Sequence, residues 1–247
     1  MTISLQDKVA LVTGGSRGVG RGIALRLARD GADIAFSYVN SKDQAESLVD
    51  ELTALGVRAK AFRADAASAS EAVGLVEDTV AEFGRLDVLV HNAAILVTGR
   101  LDDPDRDDSA HHRQFAVNTH AVAAATRAAA AHLGEGGRII LISSIGAIQT
   151  GGNPGYGDYT ATKAAIEAYA RSWTHEFGPR GITVNVVQLG PTGTDMLPLD
   201  HTALAQTVPL RRIGKPEDAA AAVAFLASAE ANHVSGATLR VDGGLSA

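Results

Sequence analysis

The stretch Val9-Ala10-Leu11-Val12-Thr13-Gly14-Gly15-Ser16-Arg17-Gly18-Val19-Gly20 lies near the start of the chain and decides the fold. Its first four residues are apolar, as in a buried strand, and glycines follow with the spacing Gly-x-x-x-Gly-x-Gly. Glycines let a backbone turn sharply and approach a pyrophosphate, and the start of a following helix offers free N–H groups to phosphate. A glycine-rich turn alone could be purely structural, but its position between strand and helix predicts a nucleotide-binding loop.

Short apolar segments alternate with alanine-rich, helix-like stretches along the rest of the chain. Seven segments are predicted as strands, at residues 9–12, 34–36, 59–62, 86–90, 138–142, 182–187 and 237–241. Helical spacing occurs between them, for example at residues 20–29, 44–55, 121–131 and 161–177. This alternation predicts an α/β fold: one doubly wound, seven-stranded parallel sheet with helices on both faces. No break in composition divides residues 1–247, so we expect a single domain.

Two regions depart from this rhythm. Residues 102–108 are strongly acidic and are predicted to form a solvated loop or the start of a helix. Residues 191–212 contain three prolines and no clear periodicity. A loop of that length inside a compact domain is usually functional, so we predict a substrate lid there, with a surface excursion as the alternative.

The composition excludes several classes of protein. The 247 residues are 46% hydrophobic and 20% charged, as in a globular protein, and the net charge of −6 argues against binding to nucleic acid. We see no membrane span and no signal peptide, and we expect a cytoplasmic protein. Because there is no cysteine, disulfides, thiolate catalysis and cysteine-ligated metals are excluded, and no metal site is predicted.

The end of the second strand bears on the choice of cofactor. An acidic residue there would bind the ribose of NAD and repel the 2′-phosphate of NADP, but this chain has Tyr38 at that position. Asn40, Ser41 and Lys42 follow, and all three can donate to phosphate, as can Arg17 in the glycine loop. The sequence therefore favours NADP(H) over NAD(H), although Arg17 and Lys42 could also be solvated surface charges.

Candidate catalytic groups follow the fifth strand. Ser143-Ser144 ends that strand, and Tyr159 and Lys163 lie four residues apart on the next helix, so that they share one face. A nearby ammonium lowers the pKa of a phenol and makes it a better acid–base group, while a serine hydroxyl can hold a carbonyl oxygen. The Tyr-x-x-x-Lys pair alone is also a common chance pattern.

In context, the chain resembles the short-chain dehydrogenase/reductase family in its compact form, over essentially its whole length. The motifs that carry the resemblance are Thr13-Gly14 to Gly20, Asp65, His91-Asn92-Ala93-Ala94, Phe115-Ala116-Val117-Asn118, Ser143-Ser144, Tyr159 with Lys163, residues 181–187, Gly190 with Thr194-Asp195-Met196, Pro216-Glu217-Asp218 and residues 235–244. The resemblance implies a Rossmann-type domain and an NADP(H)-dependent carbonyl reductase, or alcohol dehydrogenase in reverse.

The resemblance also implies residue roles. Tyr159 would be the general acid or base, Lys163 would lower its pKa and hold the nicotinamide ribose, and Ser144 would polarise the carbonyl. Asn118 would bend a helix and hold a water that links Lys163 to solvent. Asp65 and Ala66 would meet the adenine, and Gly190, Thr192 and Thr194 the carboxamide. The full predicted cofactor set is Gly14, Ser16, Arg17, Gly18, Val19, Gly20, Tyr38, Asn40, Ser41, Lys42, Asp65, Ala66, Asn92, Ala93, Ala94, Tyr159, Lys163, Gly190, Thr192 and Thr194.

Some positions depart from the family pattern. His91-Asn92-Ala93-Ala94 replaces the frequent Asn-Asn-Ala-Gly, and we interpret His91 as a neutral, hydrogen-bonded core residue rather than a catalytic one. Leu189-Gly190-Pro191 replaces the usual Pro-Gly, which could alter the nicotinamide-side loop. Fifteen positions separate Ser144 from Tyr159, so residues 150–157 must loop out, and Ser143 remains a minor rival for the serine role. Tyr156 is a rival on paper alone, because Thr160 and not a lysine lies four residues on.

The substrate pocket is expected to combine residues 94–96, 144–156 and 191–212. Its predicted lining is apolar, which fits a small apolar ketone or alcohol; the lining residues are Ile95, Leu96, Ile145, Ile148, Met196 and Leu197. The resemblance is strongest to bacterial β-ketoacyl-carrier-protein reductases and allied ketone reductases, so an acyl thioester stays open as the substrate. The pair Arg211-Arg212 could attract an acidic carrier or could be an ordinary solvated helix start.

Other classes of function remain as alternatives. The chain could be a non-catalytic protein that binds NADP(H) or another small ligand, or a scaffold that acts through assembly. The family commonly forms tetramers, and we expect a homotetramer, or a homodimer, that uses residues 161–177 and 234–247.

Overall fold

The structure is a computed structural model, which describes residues 4–149, 154–197 and 201–247. The strands form one parallel sheet in the order β3-β2-β1-β4-β5-β6-β7. They are β1 (Val9–Val12), β2 (Asp33–Tyr38), β3 (Ala59–Arg63), β4 (Val88–His91), β5 (Arg138–Ser144), β6 (Thr183–Leu189) and β7 (Thr238–Val241). The predicted seven-stranded parallel sheet is confirmed.

Helices cover both faces of the sheet. They are α1 (Gly18–Arg29), α2 (Lys42–Ala54), α3 (Ala69–Phe83), α4 (Asp108–Phe115), α5 (Ala121–Ala129), α6 (Gly157–Phe177), α7 (His201–Thr207) and α8 (Pro216–Ala227), and a π-helical segment (Ala116–His120) joins α4 to α5. Buried residues of α1, α2 and α8 belong to one core cluster, and those of α3, α5 and α6 belong to the other. In the described ranges, every helix is too short or too polar to cross a bilayer.

The central strands explain why the core has two halves. In β5, Ile140 and Ile142 belong to one cluster, and Ile139 and Leu141 belong to the other. Successive side chains of a strand point to opposite faces, so a continuous apolar run serves both layers at once. The predicted helix at residues 121–131 is confirmed as α5, whose small residues let it pack closely on the sheet.

The site is set by the point where the chain reverses direction in the sheet. From β1 the chain winds outward to β2 and β3, and it then returns to β4, which pairs with the other side of β1. A crevice forms outside the carboxyl ends of strands at such a switch point. The glycine loop after β1 and the segment after β4 therefore meet there.

Three details differ from, or refine, the prediction from sequence. The edge strands β3 and β7 are not buried on both faces, because each has a neighbour on one side alone. Helix α7 lies inside the predicted lid loop, and none of its described residues is buried, so it leaves no hydrophobic period to detect. The acidic stretch is confirmed as a loop that leads into a helix start, where Asp107 accepts a hydrogen bond from the Ala110 N–H.

Candidate active site

The glycine loop is fixed by bonds from its neighbours. Asn92 Nδ2 donates to the carbonyls of Thr13 (2.9 Å) and Gly14 (3.0 Å), and the Gly14 N–H donates to Ser37 Oγ (3.0 Å). A Cβ on Gly20 would lie 2.4 Å from the Gly14 carbonyl oxygen, so only glycine allows helix α1 to approach this closely. The loop therefore joins the ends of β1, β2 and β4.

The start of helix α1 is suited to an anion. Gly18 begins the helix with φ +55°, and Arg17 stands before it in an extended conformation; within the described chain its side chain makes no capping bond to the helix. The first N–H groups of α1 therefore lack a side-chain partner, and a phosphate could satisfy them. Ser16 is buried in the same loop, and Val19 lies in the first helical turn. These residues fit the pyrophosphate of a dinucleotide.

The predicted 2′-phosphate ligands lie around the end of β2. Tyr38 is the last residue of that strand, Asn40 is exposed, and Ser41 precedes α2. Lys42 Nζ lies 3.6 Å from Glu46 in an exposed pair. Arg17 is turned the other way, with its Nη1 3.2 Å from the carboxylate of Asp195 in the predicted lid.

Asp65 and Ala66 follow β3 at the predicted adenine site. Both carboxylate oxygens of Asp65 lie 2.9 Å from Nη2 of Arg113 on α4, a partner that the sequence did not reveal. The backbone N–H of Ala67 lowers the pKa of Asp65, and the Arg113 guanidinium adds to this effect. Ala66 and Ala93 line a small cavity beside β1 and β4. The structure thus places Asp65 against α4.

His91 lies inside the core, as predicted. It is 4% exposed, and its Nε2 lies 2.8 Å from Thr126 Oγ1 on α5. Burial lowers the pKa of His91 to about 3, so the ring is neutral at physiological pH. The neutral, hydrogen-bonded interpretation of His91 is confirmed.

Asn118 lies in the π-helical segment and is almost fully buried. Its side chain accepts from the Ile95 N–H (2.9 Å) and donates to the Ile95 carbonyl (2.9 Å) and to Thr162 Oγ1 (3.1 Å). The local widening of the helix agrees with the expected bend. Asn118 therefore holds the segment after β4 against helix α6.

Ser144 and Tyr159 meet at the carboxyl end of β5. Ser144 ends β5, and its Oγ accepts from the Gly146 N–H (3.1 Å). Burial raises the pKa of the Tyr159 phenol, whereas the nearby Ser144 hydroxyl lowers it and the nearby Tyr156 raises it further. The net direction is opposite to the lowering expected from Lys163, because desolvation of the phenolate dominates.

Lys163 lies one helical turn beyond Tyr159 and is 4% exposed. Its Nζ donates to the Ile142 carbonyl (2.9 Å) and lies 5.8 Å from the centre of the Tyr159 ring. Burial lowers the pKa of Lys163 to about 8, and the charge of Glu167 opposes this lowering. At pH 7 the side chain is therefore mostly an ammonium held beside Tyr159.

Comparison with known proteins agrees with this geometry. A family model described as Enoyl-(Acyl carrier protein) reductase matches residues 14–246. The 3-oxoacyl-[acyl-carrier-protein] reductase FabG of Staphylococcus aureus is 40% identical, with 96% of this chain and 98% of that protein covered. The hydroxynaphthalene reductase arp2 of Aspergillus fumigatus is 39% identical, with 95% and 90% covered. The chain belongs to the short-chain dehydrogenase/reductase family of oxidoreductases.

A solved structure supports the same conclusion. A blue fluorescent protein from a metagenomic library, crystallised with NADPH, is 43% identical to this chain and superposes with a TM-score of 0.94. The match covers 99% of this chain and 100% of that one. The likeness extends over the whole sheet and both helical layers of the short-chain dehydrogenase/reductase.

The structure distinguishes Ser143 and Tyr156 from Ser144 and Tyr159, the residues to which the catalytic roles are assigned in this reductase. Ser143 is buried, and its hydroxyl donates to Glu167 Oε1 (2.6 Å), on the other side of the strand from Ser144. Tyr156 immediately precedes α6, three residues before Tyr159. Part of the predicted 150–157 loop, residues 150–153, lies outside the described residues.

The loop predicted to lie beside the nicotinamide begins at Gly190, whose N–H donates to the Val241 carbonyl (3.0 Å). Thr192 Oγ1 donates back to the Gly190 carbonyl (3.0 Å), and the Gly214 N–H donates to the carbonyl of Pro191 (2.8 Å). A Cβ on Gly18 would lie 3.3 Å from the methyl of Thr194. The altered Leu189-Gly190-Pro191 sequence thus still brings Thr194 to the glycine loop.

The predicted pocket and lid are partly described. Ile148 and Met196 are 50% and 40% exposed, and Ile95 is fixed by Asn118. Residues 198–200 of the lid lie outside the described residues. Arg212 pairs with Asp218 on α8 (2.6 Å), and Arg211 donates to the Gln206 carbonyl at the end of α7. Both arginines thus make contacts within the chain, Arg211 at the end of α7 and Arg212 at the start of α8.

Proposed function

We propose that this protein reduces a small apolar ketone, or oxidises the corresponding alcohol, with NADP(H) as its cofactor. The observation that carries the proposal is the placement of Tyr159, near Ser144 at the end of β5, beside the buried Lys163, whose Nζ lies 5.8 Å from the centre of the Tyr159 ring. When bound, NADPH would supply the hydride that the carbonyl carbon receives. The chain's own residues then have to hold the carbonyl oxygen and provide its proton.

Tyr159 is the proton donor in this proposal. Because burial raises its pKa, the phenol keeps its proton at neutral pH and can act as an acid toward a carbonyl oxygen. Ser144 Oγ accepts from the Gly146 N–H, so its own proton is available to the same oxygen. Lys163 donates to Ile142 with one of its N–H groups, and the others are available to stabilise the phenolate after proton transfer.

NADP(H) is preferred over NAD(H) because no carboxylate stands at the end of β2. Tyr38 ends that strand, and the groups around it, Asn40, Ser41 and Lys42, can all donate to a phosphate. The uncapped start of α1 would bind the pyrophosphate. The similar structure that was crystallised with NADPH agrees with this choice.

The substrate is proposed to be apolar because the two segments predicted to line the pocket, after Ser144 and in the lid, expose large apolar side chains. Ile148 and Met196 are 50% and 40% exposed. A 3-oxoacyl thioester is the second candidate, favoured by the identity to FabG. Arg211 and Arg212 do not add to that case, since both are engaged within the chain.

We further propose that the reductase is a cytoplasmic homotetramer built through α6 and β7. Strand β7 is an edge with Leu239 37% exposed, and an exposed strand edge is usually covered by a partner. Tyr169 and Trp173 stack on α6 with ring centres 4.8 Å apart, which gives that helix a rigid aromatic surface.

The test is an NADPH-consumption screen against ketones, β-ketoesters and acyl thioesters, with NADH run beside it. We expect turnover of apolar ketones, faster with NADPH than with NADH at equal low concentration. Tyr159→Phe should lower kcat by about 10²–10⁴-fold and leave NADPH binding intact. Unchanged turnover in Tyr159→Phe would reject the assigned role, and no turnover at all in the wild type would favour a non-catalytic binding protein. Preference for a carrier-bound thioester would favour the second candidate.

A further inference from the structure

Glu167 is a buried carboxylate that the proposed reaction does not use. It lies on α6 one turn beyond Lys163 and two turns beyond Tyr159, so the three side chains follow one face of the helix. Its residue exposure is 7%, and a carboxylate that is buried to this degree costs free energy unless it is paired. Such a position therefore needs an explanation.

Two neighbouring strands supply donors to this carboxylate. Ser143 on β5 and Gln188 on β6 are partners in the parallel register, and both are buried. Ser143 Oγ donates to Glu167 Oε1 (2.6 Å), and Gln188 Nε2 donates to the same oxygen (2.7 Å). The two donors therefore hold one oxygen of Glu167 in a fixed position.

The orientation of Gln188 supports the same conclusion. Its Oε1 is buried and, among the described residues, has no hydrogen-bond partner. Rotating the amide would place that oxygen against the carboxylate, where two acceptors would repel each other. The NH₂ group of Gln188 therefore faces Glu167, and its own Oε1 is left without a hydrogen-bond partner in the described chain.

We propose that Glu167 is a positioning residue that keeps Lys163 in its ammonium form, so that proton transfer at Tyr159 remains effective above neutral pH. This inference rests on the proposed function, because it assigns Glu167 a role through the Lys163–Tyr159 pair. Ser143 and Gln188 hold the carboxylate in place, and Lys163 itself is fixed by the Ile142 carbonyl.

The other groups packed around α6 do not supply a second negative charge in place of the Glu167 carboxylate. From β5, β6 and the π-helical segment the facing side chains are Ser143, Gln188 and Asn118, which are neutral. Arg106 and His111, from α4 and the loop before it, contact Asp158 at the start of α6. Tyr156 and Tyr159 are the phenols on the substrate side of Lys163. In the described chain, Glu167 is thus the anion that acts on Lys163.

The kinetic test compares the pH profile of kcat/KM for ketone reduction in the wild type and Glu167→Gln. The alkaline limb should move to lower pH by about one unit, since a buried charge one helical turn away is removed. At pH 6 the two enzymes should agree within about twofold, and at pH 8.5 the variant should be about tenfold slower. Glu167→Asp should return the limb toward the wild-type position. A uniform loss of activity with an unmoved limb would overturn the proposal.

A second test needs neither cofactor nor turnover, so it separates failure of this inference from failure of the proposed function. The pKa of Lys163 is about 8 when folded, against 10.5 as its ordinary value, so the unfolded chain binds more protons between these values. Its contribution to the free energy of unfolding therefore rises with pH over that interval. In Glu167→Gln this rise should begin at lower pH.

The matched control is Glu176→Gln, which removes an exposed glutamate from the same helix. Urea unfolding of the three proteins from pH 6 to 10 gives the comparison. Parallel curves for the wild type and Glu167→Gln would overturn the proposal even if the enzyme proves active. A wild type without ketone turnover would contradict the proposed function. The unfolding curves would still report the effect of Glu167 on Lys163.

Discussion

Two adjacent serines on strand β5, Ser143 and Ser144, have different roles in this protein. Ser143 and Ser144 point to opposite sides of β5, so the Ser143 hydroxyl donates to Glu167, whereas the Ser144 hydroxyl accepts from the Gly146 N–H near Tyr159. From sequence the two serines could not be separated fully, because their assignment depends on the strand's register against β6 and α6. The roles of Tyr159 and Lys163 were predictable from the ordered motifs around them and not from their spacing alone, and the effect of burial on their pKa values was not predictable from sequence.

The burial of His91 predicts a loss of unfolding free energy at acidic pH. Its pKa is about 3 when folded against an ordinary 6.5, so protons bind the unfolded chain preferentially as the pH falls below 6.5. The wild type should lose about 2 kcal/mol of unfolding free energy between pH 7 and pH 5 from this group. Urea unfolding of His91→Asn at pH 7, 6 and 5 should show a smaller loss, whatever its stability at pH 7.

The control for that measurement is His120→Asn, which changes an exposed histidine. It should keep the wild-type dependence on pH, because this change leaves the buried ring of His91 in place. An equal acid loss in the wild type and His91→Asn would show that His91 titrates normally and is not a buried neutral ring.

At the scale of elements, the glycine loop and the lid segment touch through one exposed ion pair. Arg17 precedes α1, Asp195 follows β6, and their charged groups lie 3.2 Å apart. If Arg17 binds the 2′-phosphate, Asp195 competes for it. Asp195→Asn should therefore lower the Kd for NADPH by about twofold to threefold, with little change for NADH, since exposed pairs are weak.

Fluorescence titration of both nucleotides measures this effect, and Arg17→Ala provides the reference. Arg17→Ala should raise the Kd for NADPH by about tenfold, and adding Asp195→Asn to it should have no further effect. Equal changes for NADPH and NADH in either variant would contradict the phosphate role of Arg17.

The elements also show where pattern reading succeeds and where it fails. The central strands were predictable because β1, β4 and β5 contain apolar runs that are covered on both faces, and β6 is buried over its whole length although it includes Asn185 and Gln188. Strand β7 was also predicted, but its exposure was not. Helix α7 was not predicted, because its described residues are not buried and therefore show no hydrophobic period. The Asp65–Arg113 pair joins residues 48 positions apart and has no local signal.

At the scale of the whole molecule, the remaining question is how the exposed edge of the sheet is covered. Strand β7 ends the sheet with the side chains of Thr238, Leu239 and Arg240 exposed on a single chain. A second copy related by a twofold axis could cover this edge, and another contact through α6 would complete a tetramer. Light scattering of the purified protein should therefore give four times the chain mass.

Leu239→Glu tests which surface makes that assembly. A charge buried without a partner at an interface is costly, so this variant should dissociate into dimers of half the wild-type mass while its secondary structure is retained. Leu101→Glu is the matched control, because Leu101 is 88% exposed on the loop before α4 and should leave the mass unchanged. A monomeric wild type would contradict the tetramer. An intact tetramer of Leu239→Glu would show that the interface does not include β7.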